Sequence, residues 1–124
     1  MQKIRLRDKL AAIEEHWSPK IIGELNGQHV KLVKFQGEFV WHHHDSEDEL
    51  FLVLQGSFEM QYRDEAGDEQ TQQISEGELI IVPRGTEHRP RAASEVHVLL
   101  FEPAGTLNTG NIRDSRTVVN PEKI

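Results

Sequence analysis

Gly37-Glu-Phe-Val-Trp-His42-His43-His44-Asp-Ser-Glu-Asp-Glu49-Leu-Phe-Leu-Val-Leu-Gln-Gly56 holds two histidines one residue apart and a glutamate five residues after the second. In an extended strand alternate residues share a face, so His42 and His44 point one way and His43 the other. A turn after His44 can return the chain as a neighbouring strand, which lets Glu49 join the two imidazoles. Two neutral imidazoles and a carboxylate suit a divalent transition metal.

A second stretch, Gly77-Glu-Leu-Ile-Ile-Val-Pro83-Arg-Gly85-Thr-Glu-His88, supplies a third histidine. Together the two stretches resemble the paired motifs of the cupin superfamily. The first runs Gly37, four residues, His42, one, His44, four, Glu49, six, Gly56; the second runs Gly77, five residues, Pro83, one, Gly85, two, His88. The chain departs from the pattern twice. The gap after Gly37 is one residue short, which affects a turn length. The asparagine that closes the second motif is Ala92, which removes a polar side chain near the site and leaves the ligands untouched. The resemblance implies an all-β double-stranded β-helix, a jelly-roll barrel. It also implies a metal held by His42, His44, Glu49 and His88, and one divalent ion: iron, manganese, zinc or nickel.

Bulk properties are consistent with that fold. At 124 residues the chain reads as one domain, with 36% apolar residues for one core. It has no cysteine, which excludes disulfides and thiolate metal sites and suits a cytoplasmic setting. No apolar run approaches the roughly 18 residues of a membrane span, and the basic N-terminus lacks the features of a signal peptide. A net charge of −7 argues against nucleic-acid binding, which needs basic surface.

Read end to end, Leu6, Leu10, Ile13 and Trp17 recur at helical spacing and predict an amphipathic helix over Leu6–Trp17, stopped by Ser18-Pro19. This segment, 1–19, precedes a barrel over 20–102 and a loop-rich tail over 103–124. Its apolar stripe packs either on its own barrel or on a second copy; the resemblance implies a homodimer. Asn26-Gly27 predicts a hairpin between Ile21–Leu25 and Val30–Phe35. Further strands are predicted at Phe39–His44, Glu49–Leu54, Phe58–Tyr62, Thr71–Ile74, Leu79–Val82 and Glu95–Phe101.

Alternation places Phe51 and Val53 inward with Glu49, and Val40 inward with the two histidines. Phe51 is therefore a candidate substrate contact. Arg84 and Arg89, beside His88, are candidates for binding an anionic group, because guanidinium engages planar oxyanions; the alternative is pairing with the acidic turn at Asp45, Glu47 and Asp48. The candidates for a catalytic base are Tyr62, Glu87 and His97. The function implied is a metal-dependent enzyme, of dioxygenase or isomerase and lyase type, acting on a small organic molecule, anionic if those arginines face it. The alternative is a non-catalytic module that binds a small ligand.

Overall fold

The computed structural model describes residues 1–124. One short helix, α1 (Leu6–Ala11), precedes seven strands: β1 (Lys20–Leu25), β2 (Gln28–Glu38), β3 (Glu49–Gln55), β4 (Ser57–Arg63), β5 (Glu69–Ser75), β6 (Leu79–Val82) and β7 (His88–Pro103). All pairings between them are antiparallel. The main path runs β1-β2-β7-β3-β6, and β4 joins it through β7 while pairing β5 on its other side. The long β7 makes this possible. Its Val96–Pro103 half lies between β2 and β3, and its His88–Arg91 end pairs with Tyr62–Glu59 of β4. A register shift separates the two halves, so that two residues of β2 span four of β7 between Val96 and Ala92.

The β1–β2 hairpin turns on Asn26 (φ 50°) and Gly27 (φ 75°), the pair of left-handed residues that a tight two-residue hairpin demands. Strict alternation buries Glu49, Phe51 and Val53 of β3, and Val96, Val98, Leu100 and Glu102 of β7. The apolar members of that set meet Val33, Phe35, Phe58 and Met60 in the main core. Phe35 and Phe58 pack edge to face with centroids 5.5 Å apart, a geometry that aromatic quadrupoles favour.

Two local expectations need correction. The helix ends at Ala11, not Trp17. Arg5 offers no side-chain cap, and so short a helix gains little on its own. Packing then decides the path: Ile13 inserts against Ile22 and Leu32, and Trp17 stacks on Phe35 and Phe39 at 4.5 and 4.8 Å. Trp17 adopts φ 62° to do so, held by its amide to the Lys34 carbonyl and its indole N–H to the Gln36 carbonyl. Leu6 and Leu10 lie on the same small cluster, so the apolar stripe covers its own barrel. The second correction concerns Phe39–His44. Regular pairing stops at Glu38, and only a bridge from His42 to His88 and a hydrogen bond from the Phe39 N–H to the Pro90 carbonyl tie this segment to β7. Phe39 is buried there and Val40 only half-buried, the reverse of the alternation expected.

A candidate metal centre

His42, His44, Glu49 and His88 come from three places in the chain: the irregular segment after β2, the first residue of β3 and the first residue of β7. The barrel closes them together, and all four are buried. His42 and His88 exchange both backbone hydrogen bonds, at 3.0 and 2.8 Å, which holds their side chains side by side with ring centroids 4.2 Å apart. The His42 Nδ1–H donates to the Val40 carbonyl at 2.9 Å, and the His88 Nδ1–H donates to the Thr86 carbonyl at 2.8 Å. A carbonyl only accepts, so each ring carries its proton on Nδ1 and turns an Nε2 lone pair toward the centre.

The candidate donor atoms lie within 4.8 Å of one another. Glu49 Oε1 sits 3.2 Å from His44 Nε2 and 3.5 Å from His88 Nε2. These three atoms are buried and have no hydrogen bond of acceptable geometry. Orphaned buried polar atoms are costly, and a cation between them removes the cost. Donors about 2.1 Å from a metal sit about 3.0 Å apart when adjacent, so the 3.2 and 3.5 Å separations around Glu49 are close to those of neighbouring ligands of one ion. Burial, followed by the His88 charge, lowers the His42 pKa to about 3, which keeps the imidazole neutral as a ligand must be. Burial pushes the Glu49 carboxyl up, but His44, His88 and Glu102 outweigh it and hold the group well below the usual carboxylate range.

Behind Glu49 lies a pair that the sequence reading missed. Leu50 pairs with Phe101, which sets Glu49 across from Glu102. Glu102 accepts from Lys31 Nζ at 2.7 Å, with both side chains almost fully buried. Burial and the Glu49 charge raise the Glu102 carboxyl well above its ordinary range, and Lys31 opposes them. The signal was present in the alternation: Val96, Val98 and Leu100 lead to Glu102, and Lys31 precedes Val33 and Phe35 on the inward set of β2.

His42 and Glu49 form part of the wall of a small cavity of about 30 Å³, which is otherwise lined mainly by apolar groups such as Trp17, Phe39, Phe51 and Leu100, with Asn108 from the tail. Phe51 thus stands where the sequence reading placed it. The other candidates do not line this cavity. The Tyr62 hydroxyl accepts from Gln72 Nε2 at 2.9 Å beside a separate depression with Met60 and Thr86. Glu87 holds His43 Nδ1 at 2.9 Å, and Asp45 holds His43 Nε2 at the same distance. That bonding raises the His43 pKa, Glu87 contributing most. His97 lies on the outer face of β7, 3.1 Å from Glu95. Arg84 is exposed and contacts Asp48, at 3.5 Å through its Nε. Arg89 bonds Gln61 at 2.9 Å, approaches Glu38 at 3.5 Å and stacks over Trp41. Each of these residues sits one step off the inward register or beyond the reach of the cavity, and each has a partner elsewhere.

An antiparallel β-barrel with three histidines and one glutamate converging in its interior defines a class: a cupin-type barrel with a candidate metal centre. Residues 29–102 match the cupin domain family, and the chain belongs to it. The crystal structure of a cupin-2 domain containing protein from Shewanella frigidimarina is similar, with 40% identity and a TM-score of 0.75 over 81% of this chain and 93% of that one. Uncharacterized protein YdbB of Bacillus subtilis is 38% identical over 71 residues, 57% of this chain and 59% of that protein's length. Hydroquinone 1,2-dioxygenase from Sphingomonas sp. TTNP3, in complex with 4-nitrophenol, shares the fold at 17% identity, with a TM-score of 0.72 over 81% of this chain and 32% of its own.

Proposed function

We propose that this cupin is a metal-dependent enzyme whose substrate presents an oxygen donor to the ion and an uncharged, largely apolar body to the cavity. The observation that carries the reading is the set of unpaired Nε2 and Oε1 atoms beside an apolar cavity. Four protein ligands leave up to two octahedral positions, so the site is open, unlike closed four-coordinate structural zinc. A bound ion would supply Lewis acidity or, if iron, dioxygen chemistry.

The cavity wall narrows the choice. Apart from His42 and Glu49, none of its lining side chains titrates. Asn108, the one other polar side chain, is spent on the Arg116 carbonyl and the Val118 amide. An isomerase or lyase needs a base near the metal, and none lines this cavity; dioxygenase chemistry has less need of one. The absence of a free cation argues against a carboxylate or phosphate substrate. The volume admits about two waters, so a larger molecule enters only as the wall yields. A phenol combines the required oxygen and apolar body, and a fold relative is a hydroquinone 1,2-dioxygenase. The second reading, a binding module without turnover, draws on the same missing base.

The test is oxygen uptake by Fe(II)-loaded protein offered phenol, hydroquinone and benzoate. Uptake with a neutral phenol, lost in His88→Ala, supports the enzyme. Spectral binding of phenol without uptake supports the module. Uptake with benzoate alone contradicts the uncharged-substrate reading.

The proposed homodimer rests on a different face. With α1 folded onto its own barrel, the outer side of β3, β6 and β7 shows Leu50, Leu52 and Phe101 half-buried and Leu79 and Ile81 more than half exposed. Registers place Ile81 beside Leu50 and Leu50 beside Phe101, one continuous patch that a second copy would match about a two-fold axis.

A further inference from the structure

The tail over 103–124 has no regular strand, yet part of it is built into the barrel wall. Thr109 is fully buried and Thr106 nearly so. Thr109 Oγ1 donates to the Ile112 carbonyl at 2.6 Å and lies 2.8 Å from Thr117 Oγ1. Asn108 bonds Arg116 and Val118, closing residues 108–118 into a compact loop, and also lines the cavity. Gly110 and Asn111 meet the ligand segment. Asn111 N–H donates to the His43 carbonyl at 3.0 Å, and Asn111 Oδ1 accepts from the His43 N–H at 2.8 Å. Both backbone groups of the residue between His42 and His44 are therefore held by one tail residue. Gly110, at φ 55°, lies so close that a Cβ there would overlap the His43 carbonyl and come within 3.1 Å of His42 Cδ2.

We infer that this loop is a strap that positions the metal ligands, with Asn111 and Gly110 as positioning residues for His42 and His44. The inference rests on the metal-site reading above and extends it to a part of the chain that contributes no ligand. The irregular 39–44 segment explains the need. His88 holds both backbone groups of His42 and the Gly85 N–H holds the His44 carbonyl, but the N–H and C=O of His43 point away from β7 and have no strand beside them; the strap takes the place of that strand. Partners bonded directly to ligand side chains usually change metal affinity about 10- to 100-fold when removed; Asn111 acts one step further out, through the His43 backbone, and the low end of that range is expected. Coupling is reciprocal, so an ion that prefers the strapped form also tightens the strap.

The experiment is Co(II) titration of the full chain, read by affinity and by the visible spectrum at saturation, with near-ultraviolet circular dichroism reporting the fold. Asn111→Ala removes the side-chain acceptor and is expected to weaken binding about tenfold and shift the saturated spectrum. Asn111→Asp keeps the acceptor and restores both affinity and spectrum. Gly110→Ala is expected to weaken binding more than Asn111→Ala. Hydrogen exchange at the Asn111 amide of wild type slows when Co(II) binds. Folded Asn111→Ala with wild-type affinity and spectrum overturns the strap, as does Asn111→Asp failing alongside it. If Gly110→Ala does not fold, the Asn111 pair and the exchange rate still decide. Wild type that takes up no Co(II) removes the metal reading and the strap together, whereas wild type that binds beside an unaffected Asn111→Ala removes the strap alone.

Discussion

Lys31→Met tests the buried charge arrangement behind Glu49. Lys31 Nζ lies 2.7 Å from Glu102 Oε1, with side-chain exposures of 3% and 1%. At that separation and an effective dielectric of about 20, the attraction is about 6 kcal/mol. Desolvation of both groups cancels much of it, so the pair adds little net stability relative to an apolar replacement. Losing one partner is different. Without Lys31, nothing opposes the rise of the Glu102 carboxyl, so at neutral pH it must either face Glu49 as a second buried charge or take up a proton, and the expected cost is about 3–5 kcal/mol. In Lys31→Met/Glu102→Leu the second carboxyl is gone, and His44 and His88 still lie beside Glu49. The double variant should recover at least about 2 kcal/mol of the single variant's loss. Urea unfolding of the metal-free protein, followed by circular dichroism, measures both. A single variant within about 1 kcal/mol of wild type, or a double variant costing the sum of its parts, would refute the reasoning.

Two further outcomes follow from the same structure. His42 takes up its proton near pH 6.5 when unfolded but at about 3 in the fold, so the unfolded chain binds more protons across that window and stability falls as pH drops below 6.5. Between about pH 7 and pH 5 the loss from this residue is roughly 2 kcal/mol; His42→Gln should flatten that part of the urea-midpoint profile in chelator, and an unchanged slope would contradict it. Ile81→Lys places a charge in the outer apolar patch and is expected to convert a dimer to a monomer in light-scattering chromatography; an unchanged mass in folded protein rejects that face as the interface.

The ligand cluster was legible because it depends on local offsets. His42 and His44 reach one side even though their segment is not a regular strand, because the bridge to His88 fixes the backbone of His42. Strand positions were legible wherever an apolar run was continuous, as in β3 and β6, or alternation was strong, as in β4. Beyond that, tertiary packing decided. The helix pattern over Leu6–Trp17 picked out the side chains that turn to the barrel, but Trp17 is half-buried by stacking on Phe35 and Phe39, not by continuing the helix. His88–Ser94 gave no strand signal because Arg89, Pro90 and Arg91 obscure the alternation, yet pairing with β4 carries β7 through them. Charge type hid Lys31 and Glu102, which read as surface residues until each finds the other across 71 positions. The strap was invisible for a similar reason: glycine and asparagine suit a loop, and only contact with His43 distinguishes Gly110 and Asn111 from any other turn. Glu87, Arg84 and Arg89 became candidates through nearness in sequence to His88, and alternation sent Glu87 and Arg89 to the opposite side.

The most direct test of the central claim is the metal content of freshly purified, untagged protein by inductively coupled plasma mass spectrometry, beside His88→Ala and Glu49→Ala. The account predicts about one divalent transition metal ion per chain in the wild type and little in either variant. Wild type that carries no metal and takes none up on reconstitution, or variants that keep it fully, would contradict the assignment of these four residues as a metal centre.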